Sequence, residues 1–157
     1  MSQAPKPAGA SDSDIALTIT RRFAASPGEV YAAWTDPARV GRWIGPRGIS
    51  AEAKLLDPCV GGAYEIAMRM PSGEIKTVRG IYREVRPGER LAFTWAWDAE
   101  GGKPGHETLV TLTFRALGNE TEMVLRHERF ADEKSRDSHN GGWGGSFDKL
   151  VEFLAAP

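Results

Sequence analysis

The chain has 157 residues, with 20 Lys and Arg against 21 Asp and Glu, giving a net charge of -1. That length suits one domain with a single sizeable core, and the near-neutral balance without a long basic run argues against nucleic acid or an anionic membrane as partner. Cys59 is the only cysteine, which excludes an internal disulfide and suits a reducing, cytoplasmic setting. No apolar run approaches the roughly 20 residues of a membrane span, and the N-terminus lacks the apolar core of a signal peptide, so a soluble protein is expected.

Residues 1–14, rich in Ala, Pro, Ser, Gly and Asp, show no apolar periodicity and are expected to form a disordered tail, leaving 15–157 as a single folded domain. Ile15 to Phe23 alternates as a first strand does, with Ile15, Leu17, Ile19 and Phe23 on one face and Arg21 interrupting it. Ser26-Pro27-Gly28-Glu29 supplies an N-cap, a first-turn proline and a glutamate at the third position, opening a short helix through Trp34. A second helical turn runs from Pro37 to Trp43, and Gly45-Pro46-Arg47-Gly48 has the composition of a loop.

From Ile49 the pattern changes to strands separated by turn residues. A weak strand over Ile49 to Leu56 is followed by a better one, in which Tyr64, Ile66, Met68 and Met70 alternate with polar or small residues. Ile75 to Val85 continues the series, with Gly80 marking a bulge or a close backbone approach. Leu91, Phe93, Trp95 and Trp97 form an aromatic face, then come Val110, Leu112 and Phe114, and last Met123, Leu125 and His127. The C-terminal stretch from Ala131 to Leu154 places Trp143, Phe147, Leu150, Val151 and Leu154 at helical spacing, with Asp132 as N-cap. Four glycines surround Trp143 in that helix, each costing roughly 1 kcal/mol against alanine. They imply either a break near Asn140 or a close approach of a ligand or strand to the backbone.

The order of strand, two short helices, about six antiparallel strands and one long helix is an α+β arrangement, in which only the long helix is large enough to cover the sheet. A curved sheet gripping one helix leaves room for a cavity. Candidate wall residues are Tyr64, Met68, Phe93, Trp95, Leu112, Met123 and His127 on strands, Trp43 after the short helices, and His139, Trp143 and Phe147 on the long helix. Aromatic residues at these spacings also serve as plain core. His127 and His139 offer a possible acid and base pair, with Tyr82 nearby, or a pair of satisfied structural histidines. His106, His127 and His139 lack the tight spacing of a metal motif, and no phosphate loop or nucleophile elbow is present. No metal, cofactor or catalytic residue is therefore assigned.

Several stretches resemble a known superfamily. Phe23-Ala-Ala-Ser-Pro27, Trp34-Thr-Asp-Pro37 and Arg42-Trp43-Ile-Gly-Pro46 are similar to the opening of START-like (SRPBCC) proteins. Asp57 with Gly61-Gly62, Gly80-Ile-Tyr-Arg-Glu-Val85, Pro87 to Trp95, Leu125 to Phe130, and His139 with Gly142-Trp143 resemble homologues of the activator of heat-shock protein 90 ATPase. The resemblance implies a helix-grip fold, a curved antiparallel sheet wrapped around the C-terminal helix. It spans lipid and polyketide binding, aromatic cyclase activity, self-resistance to natural products and co-chaperone roles. Where members often carry an arginine between the aspartate and the paired glycines, this chain has Cys59.

The expected function is binding of a hydrophobic or aromatic small molecule between sheet and helix, without a cofactor. The alternatives are a cyclase- or hydratase-like enzyme using the cavity histidines, and a co-chaperone-type interaction domain, with a homodimer open in each case.

Overall fold

The computed structural model describes residues 15–155, so the tail expected over 1–14 lies outside the described residues. The elements are β1 (Leu17–Phe23), α1 (Pro27–Thr35), α2 (Pro37–Val40), β2 (Ser50–Leu56), β3 (Ala63–Arg69), β4 (Ile75–Arg86), β5 (Arg90–Trp97), β6 (Thr108–Leu117), β7 (Glu120–Glu128) and α3 (Glu133–Ala155). All strand pairs are antiparallel, in the order β1-β7-β6-β5-β4-β3-β2. The strands from β2 to β7 form a meander, and the α1–α2 segment carries the chain from one edge of the sheet to the other. The result is the curved sheet and long C-terminal helix of a helix-grip fold.

Local chemistry accounts for the helix starts. Ser26 and Glu29 form a reciprocal capping box, each side chain accepting from the other's backbone N–H at 3.2 Å, and so satisfy two otherwise orphaned donors of α1. The Asp36 side chain accepts from the N–H of Ala38 to start α2, and that of Asp132 accepts from the N–H of Ser135 to start α3.

Strand alternation sorts side chains between two faces. In β3, Tyr64, Ile66 and Met68 are buried, while Glu65 pairs on the outer face with Arg79, which also grips Asp98. Arg21 in β1 is the exception, because it faces α3. There it bonds Asp148 at 3.0 Å and the Gly144 carbonyl at 3.4 Å, with its guanidinium 5.9 Å from the Phe147 ring centroid. A charge on the covered face is thus answered by a carboxylate on the covering helix. Gly80 sits where a Cβ would overlap the Thr94 carbonyl and the Tyr64 ring, so its place in β4 reflects close backbone approach, and the β4–β5 register shifts just beyond it.

The helix α3 runs unbroken through its four glycines. Trp143, Ser146, Phe147 and Leu150 are its buried stripe, continuous with Phe23, Trp34, Trp43, Phe93 and Trp95 in one core.

Candidate ligand-binding cleft

Phe147 and Leu150 bury the C-terminal half of α3 in the core, and the N-terminal half meets the sheet through His139, whose Nε2 accepts from Trp97 of β5. Between sheet and helix lies a cleft of about 1100 Å³ that opens to solvent. Trp95 and Trp97 of β5, Met68 of β3 and Met70 just beyond it form the sheet side; His139, Gly141, Gly142 and Trp143 form the helix side; Ile44, Gly45, Pro46 and Ile49 close one end. A Cβ built on Gly141 or Gly142 meets nothing within 4 Å, so these glycines face open space. Gly145, one turn on, is different: its Cβ would lie 2.7 Å from the Cβ of Pro46. The glycine run therefore does two things, leaving the cleft open at 141 and 142 and allowing a tight crossing at 145.

Of the side chains predicted from the sequence, Met68, Trp95, His139 and Trp143 line this cleft together. Tyr64 and Phe93 lie behind Trp95 around a void of about 10 Å³. Leu112, Met123 and Phe147 are fully buried core. Trp43 is also fully buried, because its indole N–H donates to the Ala33 carbonyl at 3.0 Å and its ring packs 4.7 Å from Trp34. The residues that follow it, Ile44 to Pro46 and Ile49, reach the cleft in its place. This wall was missed because a Gly-Pro loop has no periodicity to show which way it faces; the only signal was its position between the short helices and the first meander strand.

His127 lies at the back of this wall, and its partners fix its tautomer. Trp143 can only donate, and its N–H reaches His127 Nδ1 at 3.0 Å, so Nδ1 is unprotonated. His127 Nε2 then carries the proton and donates to Thr108 Oγ1 at 2.7 Å, and that hydroxyl donates to the Trp95 carbonyl at 2.7 Å. His139 has the opposite tautomer. Its Nδ1 donates to the Ser135 carbonyl at 2.8 Å, and its Nε2 accepts from the Trp97 indole at 3.0 Å. Burial, and then the neighbouring His139, push the His127 pKa down to about 2; burial also lowers that of His139. Both rings are neutral, with every ring nitrogen engaged inside the protein. Tyr82 is absent from the cleft walls and buried against Tyr64 and Phe93, and burial raises its pKa.

The cleft lining also carries the charged residues Glu74, Lys76, Asp98, Glu100 and Asp137, of which Asp98 is held by Arg79 and Asp137 by Arg136. The indole N–H of Trp34 reaches the sulfur of Met123 at 3.3 Å, whereas that of Trp95 is the one buried side-chain donor among the described residues without a protein acceptor. Cys59 is exposed on the β2–β3 loop, and its thiol donates to Asp57 at 3.2 Å; this bond, with burial and the nearby charge, raises its pKa, the reverse of what a nucleophile needs. Among the described residues no three His, Cys, Asp or Glu side chains gather as a metal site, and no helix is long and apolar enough to cross a membrane.

A long helix gripped by a curved antiparallel sheet, with a cleft between them, defines a START-like protein. Residues 24–155 match the model of the family described as Activator of Hsp90 ATPase homolog 1-like protein, and the chain belongs to that family. Solved structures agree. A protein from Chromobacterium violaceum is 27% identical with a TM-score of 0.83, over 92% of this chain and 99% of its own. The AHSA1 protein from Silicibacter pomeroyi is 28% identical with a TM-score of 0.82, over 89% and 97%. A protein from Rhodobacter sphaeroides is 28% identical with a TM-score of 0.77, over 91% and 93%. No curated protein matched the sequence.

Proposed function

We propose that this protein binds a hydrophobic or aromatic small molecule in the cleft between β5 and α3. The observation that carries this reading is the combination of three indoles, Trp95, Trp97 and Trp143, with two helical glycines, Gly141 and Gly142, around one open volume of about 1100 Å³. A helix selected for stability alone would fill those positions. The indoles with Ile44, Ile49, Met68 and Met70 supply the apolar wall that a small-molecule site uses, beside a charged part of the lining made by Glu74, Lys76, Asp98, Glu100 and Asp137.

Proton-transfer chemistry draws less support. Of His127, His139 and Tyr82, only His139 is part of the cleft wall, and its Nε2 already accepts from Trp97. A co-chaperone contact rests on the family's name, and the exposed large apolar residues Leu55, Val60, Ile75 and Val151 belong to four different segments. A cytoplasmic location completes the proposal, since the single thiol is free and exposed.

The test uses N-phenyl-1-naphthylamine, a neutral dye that brightens in apolar surroundings. The wild-type protein is expected to bind it saturably. Gly142→Leu, which projects a side chain into the cleft from a position with no neighbour within 4 Å, is expected to weaken binding by about tenfold or more, equivalent to roughly 1.4 kcal/mol. Equal affinity in the two proteins rejects this site.

A further inference from the structure

One face of α3 has a second use beyond the cleft. Gly142, Gly145, Ser146, Lys149 and Glu152 follow one another at helical spacing, so they share a stripe. Gly142 and Ser146 line the cleft, and Gly145, Ser146, Lys149 and Glu152 hold the segment Gly45 to Ile49, which forms the end wall. Ser146 Oγ accepts from the Gly45 N–H at 2.9 Å while donating to the Gly142 carbonyl at 3.0 Å, with Ser146 itself buried. Lys149 Nζ donates to the Gly45 carbonyl at 2.9 Å and to the Ile49 carbonyl at 3.4 Å. Arg47 pairs with Glu152, and Pro46 rests on Gly145.

The segment is shaped to be held in this way. Gly45 and Gly48 have φ of 89° and 92°, a region other residues adopt with strain, and the Ile49 N–H closes a turn on the Pro46 carbonyl at 3.1 Å. Without Ser146 and Lys149, the Gly45 N–H and two carbonyls would lose their partners, and a buried backbone group is costly to leave unpaired.

Resting on the binding reading above, the geometry points to Ser146 and Lys149 as positioning residues that set the length of ligand the cleft accepts, by fixing the Gly45–Ile49 segment as a stop at its end. The ligand class follows: a molecule with an aromatic ring system on the tryptophans and an apolar tail of limited length directed at Ile44, Pro46 and Ile49. Lys149 is not part of the cleft wall, and Ser146, which is, has its hydroxyl committed to the Gly45 N–H and the Gly142 carbonyl. Each acts through the wall it holds.

The experiment measures, by calorimetry, the affinities of neutral 2-naphthyl alkyl ethers from methyl to octyl for the full-length wild type, Lys149→Met, Ser146→Ala and Lys149→Arg. In the wild type, affinity rises with tail length and then falls at a cut-off. In Lys149→Met and Ser146→Ala the cut-off moves to longer tails, and the octyl-to-methyl affinity ratio increases by about fourfold for each further methylene admitted. Lys149→Arg, which keeps the donors, restores the wild-type ratio. General destabilisation changes all the ethers by one factor and leaves the ratio fixed, and that result, or an unmoved cut-off, overturns the inference. If the wild type binds none of the ethers, the binding reading falls as well.

Discussion

Alanine substitution along α3 separates glycines that serve the cleft from one that serves packing. In a helix interior, alanine is more favourable than glycine by roughly 1 kcal/mol. Gly141 and Gly142 have nothing within 4 Å of an added Cβ, so Gly141→Ala and Gly142→Ala should each realise that gain. For a protein of this size it corresponds to a rise in Tm of about 2–4 °C per substitution. Gly145→Ala receives the same helical contribution but drives a Cβ to 2.7 Å from Pro46 Cβ and 3.2 Å from Pro46 Cα. Those atoms belong to a rigid ring and to backbone held by Ser146 and Lys149, so the neighbour cannot swing aside. Overpacking of this kind costs typically about 1–3 kcal/mol, which makes the net change zero or destabilising. Urea unfolding followed by circular dichroism measures each difference, with an unchanged m-value as the check that only stability has moved. Equal stabilisation at 141, 142 and 145 would refute the reasoning, as would the absence of any gain at 142.

Three other outcomes follow from the hydrogen-bond network. Long-range nitrogen–proton NMR should find His127 protonated at Nε2 and His139 at Nδ1; identical tautomers would contradict the assigned partners. Stability should be level above about pH 6.5 and fall below it, because the unfolded chain then binds protons that His127 and His139 refuse in the fold. His127 alone removes about 2 kcal/mol between pH 6.5 and about pH 5, and a flat unfolding free energy across that window would count against its burial as a neutral ring. Ser146→Ala should accelerate hydrogen exchange at the Gly45 amide by about tenfold or more, since that N–H loses its acceptor; unchanged exchange would show that something else protects it.

Most of the architecture was legible because periodicity reports it directly. Alternation at Tyr64, Ile66 and Met68, the Ser26 to Glu29 capping pattern and the spacing from Trp143 to Leu150 each correspond to the face or helix start they predict. The site was less legible, because periodicity says that a residue points inward but not whether it meets protein or empty space. Trp95 and Phe93 share one strand face, yet only Trp95 lines the cleft while Phe93 is packed against Trp34 and Tyr64. His127 and His139 looked equivalent in the sequence; the partners that distinguish their tautomers, Thr108 and Ser135, come from β6 and from the helix itself. The end wall at Ile44 to Ile49 depends on pairings more than 100 residues apart in the chain, about which no local pattern is informative.

The tryptophans also have an optical consequence. All five in the chain form an unbroken series of neighbours: Trp43 to Trp34 at 4.7 Å, Trp34 to Trp143 at 5.6 Å, Trp143 to Trp95 at 4.8 Å and Trp95 to Trp97 at 5.7 Å between ring centroids. At such separations an excited indole passes its energy to the next ring faster than it emits, so the set behaves as one antenna. Light absorbed at Trp43, deep in the core, can be extinguished by a molecule that touches only Trp97 at the cleft. The protein's emission therefore belongs to the array rather than to any single ring.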